Sequence, residues 1–63
     1  MSKQLVEVFK LGTNRYFYTQ EINNKIEELR RKYENNIDFY SFRVLNVTIA
    51  GNVDQDAIIL YEI

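Results

Sequence analysis

Two strand-length segments near the end of the chain, Ile37 to Ala50 and Val53 to Ile63, carry aliphatic or aromatic residues at both odd and even positions. Side chains alternate between the two faces of a strand, so a sheet built from these segments is apolar on both sides. The chain offers one amphipathic helix, and one helix covers one side. A two-layer domain with water on its outer face shows polar residues there. The mismatch predicts an uncovered apolar side, joining Leu45, Val47, Ile58 and Leu60, and a contiguous patch of that kind marks an interaction surface.

The helix reads over 19–35. Thr19 can serve as its N-cap, and Glu21 falls in the first turn, where the helix dipole favours an anion. Ile22, Ile26, Leu29 and Tyr33 step by four, three and four residues and form one stripe. The opposite face is polar, with Glu21→Lys25, Glu27→Arg31 and Glu28→Lys32 as i,i+4 pairs in the better orientation. Asn35-Asn36 suits the C-terminal stop. Upstream, Lys3 to Leu11 reads as a strand with Val6 and Val8 on one face and Leu5, Phe9 and Leu11 on the other. Gly12-Thr13-Asn14 is turn chemistry, and Arg15-Tyr16-Phe17-Tyr18 reads as an aromatic connector or a short return strand.

Gly51-Asn52 fits a two-residue hairpin turn. In that register Ala50 faces Val53, Val44 faces Ile59, Phe42 faces Tyr61 and Tyr40 faces Ile63, all toward the helix stripe. Leu45 then lies opposite Ile58, and Arg43 opposite Leu60, on the other side. Val47 and Ile49 stand there beside Asp56 and Asp54, and Leu5 and Phe9 join them if the first strand falls in register. A register off by one, or a bulge around Ser41, would exchange the faces. The expected fold is a single α+β domain over 1–63, in the order β-α-β-β, with one helix on a three- or four-stranded antiparallel-rich sheet.

Sixty-three residues make a core of modest size. A domain this small buries only roughly 60% of its unfolded surface, and many such domains lean on staples or on self-association. The chain has no Cys and no His, which removes disulfides, thiolate zinc sites, cysteine nucleophiles and the commonest general base. Self-association, as a homodimer or higher oligomer, is therefore expected to supply the missing stability. Eight Lys+Arg against nine Asp+Glu give a net charge of −1, so binding to nucleic acid by phosphate neutralisation is disfavoured. The opening residues lack the apolar run of a signal peptide and no segment approaches the ~20 apolar residues of a membrane span; the expectation is a cytoplasmic protein of a bacterial cell, with no membrane partner. Asn46-Val47-Thr48 matches a glycosylation sequon that has no use there. The excess of Phe, Tyr, Ile, Asn and Lys over Gly, Ala, Arg and Pro fits an AT-rich genome, such as that of a low-GC bacterium or its phage.

Material for catalysis is thin. Asp54-x-Asp56 has a spacing that can hold Mg²⁺ or Ca²⁺, but charges at an exposed strand end also deter edge pairing, and the second reading is favoured. Arg30-Arg31-Lys32 is largely offset by Glu27 and Glu28 and reads as a solvated helix face. No enzyme, metal or cofactor is expected. The residues most open to a ligand role are Arg15, Tyr16, Tyr18 and Arg43. Tyrosine rings stack on a flat ring, and guanidinium groups hold phosphate or carboxylate. Against this, the aromatic connector also suits a role in core packing or at a subunit interface. Arg43, set among apolar neighbours, calls for a carboxylate partner across the interface, with Glu7 and Glu62 as candidates, or for an anionic ligand.

Val6-Glu7-Val8-Phe9, Glu21-Ile22-Asn23 and Ile58-Ile59-Leu60-Tyr61-Glu62 together resemble a small sporulation-associated protein family of spore-forming Gram-positive bacteria that also appears among short phage proteins. The resemblance spans most of the chain through short, mostly core-forming pieces, and it departs at Leu11 to Tyr18. It implies a fold more than a function. The leading functional expectation is a non-enzymatic, homo-oligomeric binding protein: a phage-encoded inhibitor or sequestering, anti-defence protein. It would capture a nucleotide-like small molecule or a host protein at a subunit boundary. The alternatives are a structural or regulatory sporulation-associated protein without a small ligand, and a single-stranded nucleic-acid binder.

Overall fold

The computed structural model describes residues 3–34 and 42–63. Strand β1 (Gln4–Lys10) leads through a 3-10 turn (Arg15–Phe17) into helix α1 (Tyr18–Glu34); strands β2 (Arg43–Ala50) and β3 (Asp56–Glu62) follow. The three strands form one antiparallel sheet in the order β1-β3-β2, so the last strand is central and the two earlier ones are edges. This is the expected small α+β fold, with one helix on three antiparallel strands. The proposed stop at Asn35-Asn36, the segment 37–41 of the second strand, the pairing of Tyr40 and the bulge at Ser41 lie outside the described residues.

Helix α1 begins one residue before the sequence suggests, and its lead-in differs. Thr19 lies inside α1, and Asn14 caps the 3-10 turn ahead of it: its side-chain oxygen accepts from the Tyr16 amide at 3.0 Å, and its carbonyl accepts from Phe17 N at 3.1 Å. The connector is thus wound into a 3-10 turn that runs straight into α1, and no return strand forms. Glu21 reaches back to the Gly12 amide at 3.0 and 3.3 Å, satisfying a loop donor rather than pairing with Lys25. The ion pairs that do form on the polar face are i,i+3: Lys25 with Glu28 at 3.3 Å and Arg30 with Glu27 at 3.7 Å.

The helix stripe packs as its spacing demands. Leu29, Ile59 and Tyr61 are buried together, and Ile22, Ile26, Tyr33, Leu5, Phe9, Phe42, Val44 and Ile63 pack around them. Lys25 and Arg30 lay their cations over the rings of Phe9 and Phe42, at 5.4 and 5.9 Å from the centroids, so the core edge is roofed by side-chain stems. The Tyr33 and Tyr61 hydroxyls share a hydrogen bond of 3.1 Å. Burial, that bond, the proximity of Tyr33 and the charge of Glu7 all push the Tyr61 phenol well above its ordinary range.

The hairpin register departs from expectation. Ala50 faces Asp56, three residues beyond the expected Val53, because residues 51–55 form a five-residue loop. Gly51 opens it at φ +136°, where an added Cβ would stand 2.0 Å from the Asp54 carbonyl oxygen, and the Gln55 side-chain amide closes it by donating to the Gly51 carbonyl at 2.9 Å. An odd shift exchanges faces, so Val47 and Ile49 stand opposite Ile59 and Ala57 on the helix side, not on the open side. A bulge between Val44 and Asn46 then adds one residue and restores parity, leaving Val44 opposite Tyr61 and on the helix side as expected. Leu5 and Phe9 also face the helix. The open side of the sheet consequently holds Val6 and Val8 of β1 beside Leu60 and Ile58 of β3, with Asn46 and Thr48 completing the same rows on β2. Expected membership through Val47, Leu5 and Phe9 is replaced; Ile58 and Leu60 keep their place.

Candidate functional site

At the end of the sheet where β1 leaves and the β2–β3 loop turns, Thr13, Arg15, Tyr18, Ile49, Asn52, Val53 and Gln55 line an open depression of about 620 Å³. Its geometry follows from two local events. The 3-10 turn carries Arg15 and Tyr18 to one wall at the start of α1. The five-residue loop carries Asn52, Val53 and Gln55 to the other, and the register shift brings Ile49 onto the helix side as the floor. The loop and β1 are tied to each other here: Leu11 N donates to the Gln55 carbonyl at 2.8 Å, and Lys10 pairs with Asp54 at 3.2 Å.

The depression combines an apolar floor and ring with one cation and several neutral polar groups. That set can seat a flat ring against Tyr18 while Arg15 meets an anionic group. Arg15 and Tyr18, singled out in the sequence, are thus brought together. Tyr16 points away from the core and is 93% exposed, at the outside of the same turn. Arg43 is not part of this site. It opens β2 at the opposite end of the sheet, opposite Glu62, and its guanidinium holds the Glu62 carboxylate of its own chain at 2.8 Å. Glu7, the other partner considered for it, lies on the helix side opposite Ile59.

Sequence reasoning missed Thr13, Ile49, Asn52, Val53 and Gln55 as lining residues. Val53, read from the sequence as the start of the last strand, lies instead in the loop and is 94% exposed. Of the two aspartates, Asp54 pairs with Lys10, and Asp56 sits in the ladder opposite Lys10 and Ala50. Among the described residues no group of three or more potential metal ligands comes together, and no helix is long and apolar enough to cross a membrane.

The chain matches no family model, no curated protein and no solved structure. The resemblance to sporulation-associated proteins therefore rests on its quoted residues alone.

Proposed function

We propose that this protein is a non-catalytic, self-associating binding module of the bacterial cytoplasm, and that it self-associates through the sheet side that α1 leaves uncovered. One observation carries the reading. Val6 and Val8 are 57% and 56% exposed on that side, next to Ile58 and Leu60, in the middle of the sheet where no charged residue interrupts them. The row above holds Lys10 and Asp56, and the row below holds Gln4, Glu62 and Arg43, so the apolar square is framed by polar and charged ends. An apolar centre with a polar rim is the anatomy of a protein interface. A second copy suits it because the patch is nearly uniform in chemistry, and a two-fold contact needs only a surface compatible with itself.

Light scattering tests this directly. The wild type is expected at no less than twice the 7.6 kDa chain mass, and Val6→Glu with Val8→Glu at a smaller mass with unchanged far-UV circular dichroism. A monomeric wild type, or equal masses for both, refutes the reading.

A second reading, that the module captures an anionic, ring-bearing small molecule such as a nucleotide, is favoured by the shared depression of Arg15 and Tyr18. A ligand bound only by the folded state raises the melting temperature with its concentration. A nucleotide screen is expected to yield such a shift, lost in Arg15→Ala and in Tyr18→Ala. If no nucleotide shifts the wild type, a protein target becomes the better assignment.

A further inference from the structure

Helix α1 packs its stripe onto Leu5, Phe9, Ile59 and Tyr61; near its C-terminal end it meets Val44 of β2 and Phe42 just before that strand. Beyond the bulge β2 is uncovered on both faces. On the helix side Val47 and Ile49 are 37% and 43% exposed, and on the other side Asn46 and Thr48 are exposed too. Among the described residues nothing lies beyond its outer edge, where half of the strand's backbone donors and acceptors point.

The two edges of this sheet are not equivalent. β1 carries Lys10 at its end and Lys3 just before it, with Glu7 at its centre turned to the helix side, and inward-pointing charges of this kind resist an added strand. From Val44 to Ala50, β2 has no charge and no proline and is rich in β-branched residues. Past its bulge, the stretch from Asn46 to Ala50 is an edge with neither charge nor proline and of high strand propensity.

We infer that β2 pairs antiparallel with β2 of a second copy, joining two three-stranded sheets into one of six. The occupant is chosen by charge and symmetry. A two-fold axis normal to the sheet, placed past Arg43, meets the uncharged stretch of β2 with the same stretch of the second copy, satisfies both open edges in a single contact, and keeps both helices on the same side. Pairing through β1 would set its lysines and glutamate against a neighbour. With the axis through Thr48, the two Thr48 side chains lie opposite each other, and Val47 faces Ile49 of the partner subunit across the helix side. Ile49 also lines the Arg15–Tyr18 depression, so the partner's Val47 would extend that lining across the two-fold. This contact goes beyond the face-to-face association proposed above and does not depend on it, because Val6 and Val8 lie on β1, two strands away.

Amide hydrogen exchange on the full chain reads the edge directly. In a free edge strand alternate amides point outward and exchange rapidly; in a paired strand all are protected. At millimolar concentration every amide from Asn46 to Ile49 is expected to be slowed by at least about 100-fold, and dilution is expected to release the outward set first. Thr48→Lys, which sets two lysines opposite each other at the axis, is expected to free the outward amides and lower the assembly mass, whereas Thr48→Val keeps both. The same protection is expected in Val6→Glu with Val8→Glu, which separates this edge from the open face. Rapid exchange of alternate β2 amides in the wild type at millimolar concentration overturns the inference, as does an assembly mass that Thr48→Lys leaves unchanged.

Discussion

The central strand β3 shows its two sides to different surroundings. Ala57, Ile59 and Tyr61 face α1 and are buried, with Ile59 fully out of contact with solvent; Ile58 and Leu60 face the other way and are only half-buried. The residue types are alike on both sides. What differs is the cover, since the described residues supply one helix stripe, which lies on one side. The apolar character of a strand thus reports how many covers it needs, while the chain's own inventory of helices reports how many it has.

That comparison can be broken by substitution on the two sides. Ile59→Ala should have the largest effect, a loss of about 2–5 kcal/mol in chemical denaturation, because a fully buried side chain leaves a cavity among Leu29 and Tyr61. A cost under 1 kcal/mol would mean that the helix side is not the true core. Tyr61→Phe comes next, at about 0.5–1.5 kcal/mol, since it removes the hydroxyl bond to Tyr33.

This variant also has a pH signature. The folded state holds the Tyr61 phenol protonated to higher pH than the unfolded chain does. Above the unfolded phenol pKa of about 10 the folded state therefore binds more protons, and stability must fall as pH rises. Below that pH the contribution is fully present. Tyr61→Phe should flatten the wild-type decline on the alkaline side, as read from melting temperatures between neutral pH and pH about 11; an identical decline in both would remove the coupling. The smallest folding effect belongs to the open side. Val8→Ala should change the stability of the dilute chain by less than about 0.5 kcal/mol, and its cost should grow with protein concentration if a second copy covers the patch.

The strand register shows how far sequence reading reaches. Gly51 marks the turn correctly, and its φ of +136° is the reason glycine is needed there. The length of the loop was not legible, because it depends on the Gln55 amide finding the Gly51 carbonyl, a contact between residues with no local signature. Three extra residues of register exchanged the faces of Val47 and Ile49, and the one-residue bulge at Leu45 exchanged them back for Val44. Side chains in a strand have a period of two, so small odd errors invert whole faces while even ones go unseen. The candidate site suffered from the same cause. Arg15 and Tyr18 could be named from their chemistry, but Ile49 came to the helix side beside them only through the shifted register, and Arg43 stands outside the depression because it opens β2 at the opposite end of the sheet.

The sequence by itself determined the helix stripe of Ile22, Ile26, Leu29 and Tyr33, the three strands, and the surplus of apolar strand residues over available cover. These depend on local periodicity and composition, which the order of residues carries without help. Only the tertiary structure decided that β3 is the central strand, that Val6 and Val8 rather than Leu5 and Phe9 occupy the open side, and that Arg43 is answered by Glu62. Those outcomes depend on which strands meet and in what register, and that is set by backbone pairing between distant segments, whose hydrogen-bonding groups are the same at every residue.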